Sequence, residues 1–421
     1  MPETRRNFLK KAGLVAGVAG LSPGAASAFG RLDLVPDETD FWGWVRNQYS
    51  HVPGMINLNN GAVSPSPKPV TEMYFDLIKL YNQAPSYHSW REKHEGRYLL
   101  VKKLLAEMLN CSTAEIAVNR NATESLDTVI FGLRLEKGDE VILSRYDYSR
   151  MLAAWKYREK RDGIALKWVD FDFPENDPVK LAEKYTSLFT PKTKLVHLTH
   201  MINWSGQMLP AKEITAAAHA AGIPVLLDAA HTFAHIRTDM ADIGCDYMGA
   251  SLHKWLCAPM GNGVLYVKKD MAGTIEPMFP GRKVETENGS DIGKFEELGT
   301  MNAPGQFAVS AAIDFHNLIG MERKEERLRY LKNYWTSRVK DHPRVRLWTP
   351  GSPELSGTIG LVSVEGATAQ DLQRYLFATY NIHSVSIVFE KLNAVRISPN
   401  VYTSLKELDV LVEGLLAFAG K

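Results

Sequence analysis

Short apolar runs recur along this chain with room for about one helix between successive runs, and that recurrence limits the fold more than any other feature. The runs are Ile116-Ala117-Val118, Val141-Ile142-Leu143, Ala165–Val169, Leu195–Thr199, Val225-Leu226-Leu227 and Asp246–Ala250. Helical stretches separate them, one ending near Arg161 and another over Pro178–Leu188. Buried strands alternating with helices build a mostly parallel sheet with helices on both faces. Such a sheet keeps its chemistry in the crevice beyond the carboxyl ends of its strands. Two run ends supply chemistry here. Val225-Leu226-Leu227 delivers Asp228, followed by Ala229, Ala230 and His231, and Asp246–Ala250 delivers Ser251-Leu252-His253-Lys254. An acid and a lysine at the ends of two such strands point two fixed functional groups at one crevice.

A chain of 421 residues with 45% hydrophobic content buries a large core and has length for two domains. A net charge of +1 gives no electrostatic footprint for nucleic acid. The 12 histidines do not cluster at metal-ligand spacing. Cys111, Cys245 and Cys257 form no CxxC pair and read as small buried hydrophobes.

The stretch Val225–Lys268 resembles the class V aminotransferase family of pyridoxal-phosphate (PLP) enzymes, in its isopenicillin-N-epimerase-like and cysteine-desulfurase-like branches. That resemblance implies an α/β fold of the fold type I PLP-transferase kind. Its large domain has a mostly parallel, seven-stranded-type sheet, and a small α+β domain follows at the carboxyl end. It implies PLP as cofactor, with Asp228 beside the pyridine nitrogen and Lys254 forming the Schiff base and acting as general base. His231 matches the residue that hydrogen-bonds the phenolic oxygen. Ser251 and His253 match phosphate contacts, and Ala230 packs under the ring.

Other segments extend the likeness over roughly residues 40–415. Asn121-Ala122-Thr123 matches the phosphate-binding turn ahead of a helix, where Thr123 or Asn121 caps and the first amides hold an anion. Asp147-Tyr148 stands where desulfurases carry an acid–histidine pair, so Tyr148 takes the stacking place, with Tyr146 as competitor. Asn203 matches an asparagine near the ring oxygen and substrate amine, and His200 reads as structural. In Asn59-Asn60-Gly61, the two asparagines are either substrate contacts or turn residues, and Pro65, Pro67 and Pro69 continue the loop. Thr300, in Gly299-Thr300-Met301-Asn302, matches a threonine that reaches the neighbour's phosphate, which implies a homodimer. Arg396 in Arg396-Ile397-Ser398 matches the carboxylate anchor, since a planar guanidinium grips a carboxylate through two hydrogen bonds.

The motifs specify the cofactor more tightly than the reaction. Desulfurases need a cysteine shortly before this arginine, and Asn381–Asn393 holds none. The expected function is therefore chemistry at the α carbon of an amino acid, as an epimerase or aminotransferase. Alternatives are a carbon–sulfur lyase without a persulfide cysteine and an inactive PLP-fold binding protein.

At the amino terminus, Thr4-Arg5-Arg6-Asn7-Phe8-Leu9-Lys10 matches the twin-arginine export signal. An apolar run to Leu21 and Ala26-Ser27-Ala28 follow. The expectation is a signal peptide over 1–28, recognised by the twin-arginine export machinery, and a periplasmic or exported protein. An N-terminal arm over 29–60, a large domain over 61–320 and a small domain over 321–421 complete the division. The polar, Gly-rich segment 271–298 reads as a mobile loop.

Overall fold

The computed structural model describes residues 40–89, 96–281, 291–390 and 392–421. The export signal and residues 282–290 of the expected loop lie outside the described residues. In chain order, helix α1 (Phe41–Asn47) and strand β1 (Ile56–Asn57) lead to α2 (Lys68–Gln83) and α3 (Arg97–Leu109). Strand β2 (Ile116–Asn119), α4 (Ala122–Gly132), β3 (Glu140–Ser144), α5 (Ser149–Asp162) and β4 (Ala165–Val169) begin the alternation. It continues through α6 (Pro178–Thr186), β5 (Thr193–Thr199), α7 (Ala211–Ala220), β6 (Val225–Asp228), α8 (Met240–Ile243), β7 (Tyr247–Ser251) and β8 (Gly263–Val267). Helices α9 (Ala303–Ile319) and α10 (Met321–Val339) follow, broken at Gly320. The last part holds β9 (Val345–Leu347), β10 (Gly360–Val364), α11 (Ala369–Tyr380), β11 (Ile382–His383), β12 (Val385–Phe389), β13 (Leu392–Ile397) and α12 (Leu405–Ala419).

The large sheet has seven strands in the order β2-β8-β7-β6-β5-β3-β4. Pairs from β4 to β7 are parallel, and β8 runs antiparallel to both neighbours. Strand period two sorts the side chains between two cores. Val225 and Leu227 face the core shared with α7 and α9, whereas Leu226 faces the one shared with α4 and α5. Residues buried on both faces explain why these strands read as unbroken apolar runs.

A second, antiparallel sheet of order β12-β13-β10-β9 carries α10, α11 and α12 on one face through Val362, Val395, Ile397, Trp335 and Leu411. Its alternate residues, Leu361, Leu392 and Ala394, join the core of the large sheet instead. Arg396 falls on that second set by the same period, which turns its guanidinium toward the crevice. The N-terminal segment stitches the parts together. Ile56 and Asn57 pair with Ile382 and His383, Asn59 bridges Ser398, and Arg46 forms an ion pair with Glu407 at 2.7 Å.

Three local readings need correction. The proline-rich stretch continues into α2, because Pro69 sits in a helix's first turn, where no intrahelical N–H is required. The segment 271–298 is not open throughout: Ile292 is buried, Lys294 Nζ donates to the Ala272 and Ile275 carbonyls, and Glu296 accepts the Val118 amide at 2.9 Å. Cys111 is only half-buried, while Cys245 and Cys257 are buried.

Candidate active site

The crevice beyond the strand ends gathers nearly all the expected residues. Asp228 ends β6, is buried, and accepts the Ala230 amide at 2.9 Å. Ser251 ends β7, and its hydroxyl accepts the Ala122 amide at 2.9 Å. This bond locks the end of β7 onto the start of α4. Asn121, not Thr123, caps α4, accepting the Glu124 amide at 2.9 Å. Thr123 therefore keeps its amide and hydroxyl free of other described residues. The close approach also requires Gly263, where a Cβ would come within 2.5 Å of the Asn121 amide nitrogen.

Lys254 Nζ lies 3.0 Å from His231 Nε2. Burial pulls the Lys254 amine down to about 8, with the Arg396 guanidinium adding to the fall and Asp228 opposing it. Burial also lowers His231, helped by Lys254 and Arg396, so its imidazole is neutral. An ammonium at Nζ donates to Nε2, whereas a neutral amine donates or accepts according to the His231 tautomer. Burial pushes the Asp228 carboxyl up, against the Ala230 amide and the Lys254 charge, which favour the carboxylate. Asp147, beyond β3, is buried and raised to about 8 by that burial, with the Asp228 charge contributing in the same direction.

Arg396 is buried, and Nη1 donates to the Asn203 carbonyl and Nη2 to Asn59 Oδ1, each at 2.8 Å. Its Nε has no partner, and no carboxylate of the described residues pairs with it. Burial lowers it to about 10, which still leaves it charged at neutral pH. A buried cation without an anion is costly unless a ligand brings the charge.

The structure separates the two tyrosines. Tyr146 is packed among Phe171, Phe173, Trp204 and Phe389, with its hydroxyl on Asp170 and the Phe171 carbonyl. Tyr148 is 39% exposed and lies close enough to Arg396 to act on its charge. Tyr148 is thus the ring available to a ligand. Asn60 is used up internally, accepting the Tyr402 hydroxyl at 2.6 Å and donating to Asn57 and Ser398 carbonyls, which makes it scaffold and leaves Asn59 at the crevice. His200 is structural, its Nδ1 on the Thr232 hydroxyl at 3.0 Å. Thr300 stands exposed in the bend before α9.

Sequence reading marked His383 only as part of a strand and pocket region, not as a site residue, and passed over His235; His383 Nε2 lies 3.3 Å from Asn59 Nδ2, and His235 lies against Trp255. Neither sits in a motif, and only the pairing of β1 with β11 brings His383 to Asn59.

A group with an anionic tail, a ring and a carbonyl fits these residues. Thr123 and the α4 amino end suit a phosphate, Asp228 suits a protonated ring nitrogen, and Lys254 suits a carbonyl carbon. The buried and partnerless Nδ1 atoms of His231 and His253 are further contacts left open for a ligand.

The family described as Aminotransferase class-V matches residues 56–411. Isopenicillin N epimerase of Streptomyces clavuligerus is 29% identical over 398 residues, covering 90% of this chain and 99% of that protein. A probable cysteine desulfurase of a Synechocystis strain is 29% identical, with coverages of 89% and 93%. Among solved structures, an apo cysteine desulfurase from Thermococcus onnurineus superimposes with a TM-score of 0.81 at 24% identity, covering 90% and 98% of the two chains. A C-DES variant with glycine covalently linked to its PLP cofactor gives a TM-score of 0.79 at 22% identity, with coverages of 88% and 98%. With the fold, the crevice and the family match in agreement, this chain belongs to the class V aminotransferases and is a PLP-dependent enzyme of that family.

Proposed function

We propose that the enzyme acts at the α carbon of an amino acid, moving the α-proton through Lys254, with epimerisation or transamination as the outcome. The observation that carries this reading is the buried Arg396, without a carboxylate of its own, across a crevice from an amine held near 8. PLP, when bound, supplies an electron sink that weakens the bonds to an attached amino acid's α carbon. Around it, Thr123, Ser251 and His253 would hold the phosphate, Ala230 and Tyr148 the ring faces, Asp228 the ring nitrogen, and His231 and Asn203 the ring oxygen. Arg396, steadied by Asn59 and the Asn203 carbonyl, would grip the substrate carboxylate and so orient the α carbon. Lys254 would hold the cofactor through Nζ, and the same atom would accept the substrate's α-proton. A neutral amine is needed for both tasks, and burial, by lowering the group to about 8, brings that form closer to neutral pH.

The absence of a cysteine in Asn381–Asn393 argues against persulfide chemistry. Incubation of the loaded enzyme with a panel of L- and D-amino acids in deuterium oxide tests the reading. Deuterium entering Cα with loss of optical purity indicates epimerisation, and one equivalent of keto acid without an amino acceptor indicates transamination. Sulfide release from cysteine or cystine with no Cα exchange would overturn it in favour of a carbon–sulfur lyase. An epimerase would also need a second proton carrier, and Tyr148, exposed near Arg396, is the candidate this chain offers.

The same reading has the protein working as a homodimer. Phe75 and Ile78 are exposed on α2, and Tyr74 beside them accepts from Asn302 Nδ2 at 3.0 Å, next to the exposed Thr300. A partner on this face brings Thr300 to the neighbouring phosphate. The Arg5-Arg6 motif supports export by the twin-arginine route. Replacing both arginines by lysine is then expected to leave the uncleaved chain in the cytoplasm, and unchanged cleavage and fractionation would refute it.

A further inference from the structure

His235 contacts the backbone of His231, the ring of Trp255 and the amide of Thr358. Its Nδ1 lies 2.8 Å from the His231 carbonyl oxygen, so Nδ1 carries the proton and donates. Its Nε2 accepts the Thr358 amide at 2.9 Å. Those two bonds allow one tautomer only, and burial keeps the ring neutral, with a pKa lowered to about 3. The same ring lies against the Trp255 indole, with centroids 4.1 Å apart at 39°. One imidazole therefore holds the backbone of His231 and the side chain that follows Lys254. It ties both to Thr358, which leads into β10 of the second sheet.

The surrounding chain is shaped to admit this contact. Ala234 takes a left-handed φ of 58°, a strained choice for a residue with a Cβ, and it delivers His235 into place. On the opposite side, Gly357 is obligatory. A Cβ there would stand 2.6 Å from His235 Nε2 and 2.7 Å from the Met201 methyl. Trp255 is held from its other end as well, because the buried Lys324 ammonium donates to its carbonyl.

We propose that His235 is the positioning residue that sets the Lys254–His231 pair and couples it to the second sheet through Thr358. The inference rests on the reading of Lys254 as the amine that captures PLP. Lys254 is faced by Asp228, His231 and Arg396, and His235 by His231, Lys324 and Arg329. If His235 loosens, His231 and Lys254 separate and water reaches the amine, so its titration moves back toward that of a free lysine.

The readout is the pH midpoint at which the ligand-free full chain captures PLP, followed by borohydride fixation. His235→Phe keeps a ring on Trp255 but removes both hydrogen bonds. Gly357→Ala presses a Cβ against His235 Nε2 and the Met201 methyl and so displaces Thr358 from the other side. Both are expected to raise the midpoint by about one pH unit, which slows capture roughly tenfold below pH 8. A purely structural role would lower the melting temperature and leave the midpoint where it is.

Histidine labelled with nitrogen-15 in the wild-type chain supplies a measurement that no folding defect can spoil. The His235 ring is expected to show a proton fixed on Nδ1 from pH 5 to 9 and a resonance shift when Lys254 is loaded. Unmoved midpoints in folded variants, or a His235 resonance indifferent to loading, would overturn the inference. Failure of the wild-type chain to capture PLP at all would instead remove the functional reading beneath it.

Discussion

Lys254→Ala is expected to abolish borohydride-fixable PLP and to lower turnover by at least about 10⁴-fold, the upper range for loss of a general base. The size of the effect follows from the double use of one atom, Nζ, which both holds the cofactor and moves the substrate proton. The wild-type amine should also betray its environment. With its pKa drawn down to about 8 by burial, capture should accelerate tenfold per pH unit up to about pH 8 and then level off. A free lysine would continue accelerating to roughly pH 10.4. Stability follows with a definite sign. Between about 8 and roughly 10.4 the unfolded chain binds the proton that the folded one has released, so the ligand-free protein gains stability as pH rises through that window. Lys324 and Lys332, also held near 8 by burial, add in the same sense. A capture profile still climbing steeply above pH 9 would show that Lys254 is not the buried amine described here.

How much of this was legible beforehand depended on whether the signal was local. The strands of the large sheet were readable because both faces are buried, which makes each a short uninterrupted apolar run bounded by turns. Asp228 and Lys254 were readable because each stands at or just beyond a strand end, where chain order alone predicts the crevice. Tyr146 and Tyr148 were not separable by the same means. They lie two residues apart, and only the packing of Tyr146 onto Phe173 and Trp204 decides between them. Asn59 and Asn60 posed the same problem, resolved by Tyr402, more than 300 residues away in the chain. As site residues, His383 and His235 were invisible for a related reason. Each is defined by a partner contributed by a distant segment, Asn59 for one and Thr358 for the other. Pro69 misled because proline breaks a helix interior yet suits its first turn, and the difference lies in a position that periodicity does not mark.

Arg396 leads to a second large effect, in which function and stability move in opposite directions. The guanidinium is buried, charged and supplied only with neutral acceptors, the Asn203 carbonyl and Asn59 Oδ1. A site of this kind is stable only in part until an anion arrives. Arg396→Met removes the buried charge while retaining much of the side-chain volume, and is expected to stabilise the ligand-free protein by about 1 kcal/mol or more. It should also cost about 2–5 kcal/mol of substrate binding, a loss of roughly 30- to 4000-fold in kcat/KM. Arg396→Lys separates charge from shape. It keeps the positive charge but cannot make two parallel hydrogen bonds to a carboxylate, so it should recover only a small part of the loss. The same pair of variants should leave PLP capture by Lys254 nearly intact. In Arg396→Met, loss of the neighbouring charge raises the Lys254 pKa slightly, since Arg396 contributes to its depression. A variant that captures PLP, melts higher and no longer discriminates amino acids from the corresponding amines would place the carboxylate on Arg396. An Arg396→Met protein that melts lower and still prefers amino acids would mean that the guanidinium is a structural strut and that the carboxylate is held elsewhere.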